Sequence, residues 1–195
     1  MKPIFDLERY ASLARQAAAE GAVLLRNEQN TLPLQPGSRV ALFGRAQFHY
    51  YKSGTGSGGL VNTDHVTGIW EALSGPGGYK CDAEVRAVYD RWVADHPYEM
   101  GNGWAQEPWF QPEMPLEQEL VQQAAQRNDA AVILIGRTAG EDQDNADAPG
   151  SCRLTDEERK MLQLVCSSFP RSIVVLNVGN ILDMSWVEEY HPGAV

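Results

Sequence analysis

Residues 130–150 read AAVILIGRTAGEDQDNADAPG. The opening run, AAVILIG (130–136), is apolar without alternation, as a strand covered on both faces requires and a half-exposed strand does not. The turn behind it concentrates four carboxylates, Glu141, Asp142, Asp144 and Asp147. A buried strand delivering like charge to one loop is the feature around which the rest of the chain is arranged.

The flanking segments supply the layers such a strand needs. LEQELVQQAAQRND (116–129) has helical spacing and leads into the run. LTDEERKMLQLVCSSF (154–169) predicts another helix, with Thr155 as N-cap and Glu158 three residues on, the spacing of a capping box. It feeds a second strand, SIVVLNVG (172–179). Upstream, SRVALFG (38–44) predicts a strand, TGIWEALSG (67–75) a short helix, YKCD (79–82) a short strand and AEVRAVYDRWVAD (83–95) an amphipathic helix. DLERYASLARQAAAEG (6–21) places Tyr10, Leu13, Ala14, Ala17 and Ala18 on one helical face behind an Asp6 cap, and VLLRNEQNTLPL (23–34) reads as a short strand and turn. Residues 96–114 are irregular and too aromatic for a floppy linker.

Helices alternating with short, glycine-terminated strands predict an α/β fold, a mostly parallel sheet with helices on both faces in flavodoxin-like layers. HPGAV (191–195) reads as the approach to a further strand, so the expectation is one α/β sandwich domain over residues 1–195, cut before its last strands. In such sheets ligands gather beyond the carboxyl ends of the strands. Residues 44–66, 137–153 and 178–185 share that edge, and the acidic turn lies among them.

The formal charge of −10 argues against nucleic acid or an anionic membrane as partner. No run approaches the roughly 18 apolar residues of a membrane span, and MKPIFDLERYASLARQ (1–16) lacks a signal peptide's apolar core, which predicts a cytoplasmic protein. Three cysteines without a CxxC pair and four scattered histidines predict structural thiols and no metal centre.

GRAQFHYYKSGTGSGGLVN (44–62) has glycines that could cradle a phosphate, but Lys52 precedes them and no helix start follows, so neither a Walker loop nor a dinucleotide fingerprint is met. His49, Tyr50, Tyr51 and Lys52 offer ring faces and hydrogen-bonding groups, a combination that suits sugars, although packing tyrosines would read the same way. Counted from Asp142, the acidic turn has Ala146 and Arg153 where a calcium loop wants ligands at its fifth and twelfth positions. Composition alone favours a solvated loop. Against that, Gly140 lets the chain bend at Glu141, and neighbouring carboxylates with partial burial would raise its pKa, as a general acid needs.

AAEGAVLLRNEQNTLPL (18–34), RVALFG (39–44), GSGG (56–59), DAAVILIGRTAGEDQD (129–144), LTDEE (154–158) and VVLNVGNILDMSW (174–186) together resemble the second, α/β sandwich domain of family 3 glycoside hydrolases, the β-glucosidase-like enzymes. The resemblance implies a Gly-Glu-x-x-Asp loop at Gly140–Asp144 whose glutamate, Glu141, is the acid/base. Tyr51, Lys52, His49, Arg137 and Asp144 are the expected substrate contacts around it. The resemblance also implies retaining hydrolysis of terminal β-linked sugars of oligosaccharides or glycosides, without a cofactor. The aspartate nucleophile would come from a (β/α) barrel absent from these 195 residues, so the isolated chain is expected to be inactive. Met1 just ahead of the first matching segment resembles relatives in which the sandwich precedes the barrel; an excised fragment would look the same. A non-catalytic sugar-binding or interaction module on the same sheet edge, and a flavodoxin-like nucleotide binder, are the competing readings. Sugar specificity is not legible, and oligomerisation stays open.

Overall fold

The computed structural model describes residues 6–59, 61–63, 65–76 and 78–195; the Met1-Lys2-Pro3 start lies outside them. The elements run α1 (Leu7–Gly21), β1 (Arg39–Phe43), α2 (Ile69–Ser74), β2 (Lys80–Cys81), α3 (Ala83–Asp95), α4 (Gln118–Arg127), β3 (Ala130–Arg137), α5 (Asp156–Ser168), β4 (Ser172–Val178) and α6 (Trp186–Tyr190). The sheet order is β2-β1-β3-β4, and every pairing is parallel. The sheet is the α/β arrangement that the sequence predicts.

β3 is central and all eight of its residues are buried, which is why its sequence shows no alternation. Successive side chains still leave by opposite faces. Ala41, Phe43, Ile133, Ile135 and Val174 point to one face, where Val85 and Tyr89 of α3, Val121 and Ala124 of α4, Met161, Leu162 and Val165 of α5, and Trp186 of α6 cover them. Val40, Leu42, Val132, Leu134 and Ile173 point to the other, against Leu34, Ala194 and the half-buried Ile69, Trp70 and Leu73 of α2.

Local signals set the helix starts. The Asp82 carboxylate accepts from the N–H groups of Glu84 and Val85 at the head of α3 (2.9 and 3.0 Å). At α5 the capping box is formed: Glu158 N–H donates to Thr155 Oγ1, and Thr155 N–H donates to the Glu158 carboxylate.

Two expectations change. Residues 23–27 make no strand; their hydrogen bonding is an antiparallel bridge between Asn27 and Ala194, with Leu25 N–H donating to Val195 O (2.9 Å). Val23, Leu24 and Leu25 stay exposed, so nothing in this chain rewards ordering them further. Helix α1 is capped by Asp6 as predicted, but none of its residues is buried. At the far edge, Ala194 adds beside β4 through Ala194 N–H to Ser172 O (3.1 Å) and Val174 N–H to Ala194 O (2.9 Å).

Candidate active site

The parallel sheet brings the ends of β1, β3 and β4 to one rim. β1 continues into the 44–59 loop, and β3 into Thr138–Gly140 and the acidic turn. These two loops are joined by backbone: Thr55 N–H donates to Ala139 O (2.8 Å), and Thr55 and Gly140 form a parallel bridge. A Cβ at residue 140 would stand 2.5 Å from the Thr55 nitrogen, so only glycine permits the approach.

That junction presents Glu141. Its side chain is exposed, and Oε2 accepts from the backbone N–H of Ser57 (3.0 Å). The amide holds the carboxyl below its ordinary range. Sequence reasoning expects the opposite direction. The correction has a plain cause: the group is not desolvated, and its nearest partner is a dipole that favours the charged form. Gly56, at φ +68°, lies directly beneath; a Cβ there would come within 2.6 Å of Glu141 Cβ and 2.8 Å of Oε2.

The other carboxylates of the turn diverge. Asp147 pairs with Arg153 (3.0 Å), while Asp142, at φ +60°, and Asp144 are exposed on the loop. Gln143 reaches the opposite way, donating to the carbonyls of Ala105 (3.1 Å) and Glu107 (2.5 Å). Thr138 N–H donates to Trp109 O (2.8 Å). The irregular 96–115 segment is thereby strapped onto the loop carrying Glu141, a seat that its composition does not disclose.

His49, Tyr51 and Lys52 come together along the neighbouring groove. Of about 310 Å³, it is bounded by His49–Gly54 on one side and Tyr98, Met100 and Glu107 on the other. The Tyr51 backbone is gripped by Asn177 at the end of β4, whose amide accepts from Tyr51 N–H (2.8 Å) and donates to Tyr51 O (3.1 Å). Asn177 is legible in the sequence only as the polar residue that interrupts the apolar run 173–178. Burial, then Tyr98, raises the Tyr51 hydroxyl, so it serves as a neutral group. Burial, then the charge of Arg45, lowers the His49 imidazole, whose ring leans on Tyr98 at 5.0 Å. Lys52 Nζ donates to Thr63 Oγ1 (3.0 Å).

Arg137 is a correction. Its guanidinium is fully enclosed, forms an ion pair with Glu158 and donates to the carbonyls of Gly136, Ser151 and Arg153. Turned toward α5 with its donors engaged, it has nothing to offer a sugar at the rim.

The model of the glycosyl hydrolase family 3 C-terminal domain matches residues 22–195. The chain belongs to that family. A β-glucosidase of Ruminococcus albus is 48% identical over 190 residues, covering 97% of this chain and 20% of that protein. β-Glucosidase A of Butyrivibrio fibrisolvens is 33% identical, covering 93% of this chain and 24% of that protein. Among solved structures, a β-glucosidase from Paenibacillus barengoltzii superposes with a TM-score of 0.91 at 46% identity, over 95% of this chain and 20% of that one. β-Glucosidase 3B from Thermotoga neapolitana, solved with glucose, gives 0.82 at 31% identity, over 95% and 26%. The chain thus spans about a fifth to a quarter of the length of these family members.

Proposed function

We propose that this family 3 domain carries the acid/base of a retaining exo-β-glycosidase acting on glucosides or short oligosaccharides, with Glu141 in that role. The observation that carries the reading is Glu141 itself: a carboxylate on an open rim, its direction fixed by the Ser57 amide, facing away from its own domain's core. A second domain of the same polypeptide, a (β/α) barrel bearing an aspartate, supplies the nucleophile from across the sugar. Retaining hydrolysis needs the two carboxyl groups about 5–5.5 Å apart, so the rim must be closed over by that partner.

Closure also explains how a carboxyl held low in this chain can act as an acid. Removing water from Glu141 and setting a second carboxylate nearby both raise its pKa, so it meets the glycosidic oxygen protonated. It gives up that proton as the bond breaks and the nucleophile becomes a neutral ester. The Ser57 amide then again favours the charged form, which suits Glu141 to take a proton from the attacking water.

The test is Glu141→Ala in the complete enzyme. Turnover of a disaccharide should collapse, activated aryl glucosides should keep much of their first-step rate, and azide should restore activity by attacking the intermediate without a base. An unchanged rate on the disaccharide sinks the assignment.

A further inference from the structure

His49 and Tyr51, which bound the groove, also line a second and much smaller space. It measures about 20 Å³, and Arg45, Ala46, Glu113 and Glu158 are among its other walls. Roughly 10–15 Å³ is enough for one water molecule, so the space suits one and nothing larger. Its walls carry groups that the protein leaves unanswered. Arg45 is buried, and its guanidinium donates through Nη1 to Pro112 O (3.2 Å) and through Nη2 to His96 O (2.6 Å). Its Nε makes no hydrogen bond among the described residues, and neither does the buried Nδ1 of His49. Folded proteins rarely keep a buried polar group without a partner, because desolvating it is then uncompensated. Glu113 accepts from the Arg45 and Met114 amides (2.7 and 2.8 Å), and each of its oxygens retains a further lone pair. The charges balance: Glu158 is paired with Arg137 (2.6 Å), and Arg45 stands against Glu113. These walls call for a small neutral molecule that both donates and accepts.

We propose that this cavity is a binding site for one water molecule, which accepts from Arg45 Nε and links the Glu113 carboxyl to His49 in the groove wall. Burial, then the charge of Arg45, keeps the His49 imidazole neutral near pH 7, so with its proton on Nε2 it takes a hydrogen bond from the water at Nδ1. An ionised Glu113 takes the water's other proton. A protonated Glu113 becomes a donor instead, and the water must turn to accept from it. The state of the buried carboxyl thereby reaches the groove, which makes Glu113 a positioning residue for that wall. The charged and titratable groups that face Glu113 are Arg45 after β1, Tyr89 of α3 and Glu158 of α5, with Arg137 of β3 behind Glu158 and His49 and Tyr51 across the cavity. Whatever enters the groove meets a wall whose hydrogen bonding follows a buried proton.

The experiment uses this chain and does not depend on the role of Glu141. A high-resolution crystal structure should show one ordered water within about 3.2 Å of both Arg45 Nε and a Glu113 oxygen. A cavity without such density overturns the site. Nitrogen NMR of the His49 ring reads the link. Besides its own step, displaced below the usual 6.5, the ring should show a second step at about pH 7, where Glu113 titrates. Glu113→Gln should abolish that second step. Ala46→Val fills the cavity and leaves both ionisable groups in place, so it should shrink the step roughly two-fold or more, to what charge alone transmits through space. A ring with no second step, a step that survives Glu113→Gln, or one of full size in Ala46→Val overturns the link. If Ala46→Val does not fold, the Arg45 Nε–H of the unaltered chain decides: a cross peak to a bound water upholds the site, and none overturns it.

Discussion

Arg137 and Glu158 meet as a two-pronged ion pair inside the molecule, Nη1 to Oε1 and Nη2 to Oε2 both at 2.6 Å, with the guanidinium carbon 5.6 Å from the Phe110 ring centre. Glu158 also closes the capping box of α5, so one carboxylate joins the end of β3 to the start of a helix that packs on it. Glu158→Gln should cost about 3–5 kcal/mol in urea unfolding, because it leaves the guanidinium buried without a countercharge. Replacing both partners with apolar residues, Arg137→Met with Glu158→Leu, should cost less than the two single changes added together. Additive costs would show that the pair is not acting as a unit.

The glycine beneath Glu141 makes a second prediction. Gly56→Ala puts a methyl 2.6 Å from Glu141 Cβ, and the left-handed backbone there is unfavourable for alanine by about 1–2 kcal/mol. The carboxylate must turn away. In the complete enzyme kcat on a disaccharide should fall by roughly ten- to a hundred-fold, consistent with a misplaced proton donor. Activated aryl glucosides, which leave without a proton, should keep most of their first-step rate, read as kcat/KM. An equal loss on both would mean general unfolding.

Glu141 also predicts a pH response. Its folded pKa is depressed by the Ser57 amide, so its contribution to folding is present above its ordinary value of 4.5 and is lost as pH falls through the lowered one. Carbon NMR titration of the chain should place the Glu141 carboxyl below 4.5. In the closed, complete enzyme the same signal should move above that value, because closure removes the water. A Glu141 signal that titrates identically in both would contradict the closure argument.

What was readable in the sequence follows from where each interaction comes from. β1, β3 and β4, and the Thr155–Glu158 box, depend on neighbours a few residues away, and their patterns are visible without the fold. The position of the acidic turn follows from strand polarity alone. The protonation of Glu141 does not, because the amide that sets it arrives from residue 57, 84 positions earlier. Arg137 misled for a related reason. Its place at the end of a strand is local information, whereas its direction is fixed by a glutamate 21 residues on. The amphipathic pattern of α1 promised a buried stripe, but a stripe states only that something must cover it, not that this chain does.

Glu113 gives the last prediction, on a group outside the proposed chemistry. Its carboxylate is buried between two layers: Oε2 accepts from Arg45 N–H (2.7 Å) and Oε1 from Met114 N–H (2.8 Å), while Glu158 and the Tyr89 hydroxyl lie close by. Burial pushes its pKa up to about 7, against the pull of those amides and the hydroxyl and helped by the charge of Glu158. Folded, the group keeps its proton to about pH 7; unfolded, it releases it near 4.5. The folded state therefore binds the proton more tightly, so this contribution is full below 4.5, declines as pH rises to about 7 and is flat above. At about 1.4 kcal/mol for each factor of ten, the loss is on the order of 3 kcal/mol. Thermal melts across that window should show it as a falling component of stability. Glu113→Gln, which cannot ionise, should lose some stability at acid pH and erase that slope. A slope that survives the substitution would assign the pH dependence to another group.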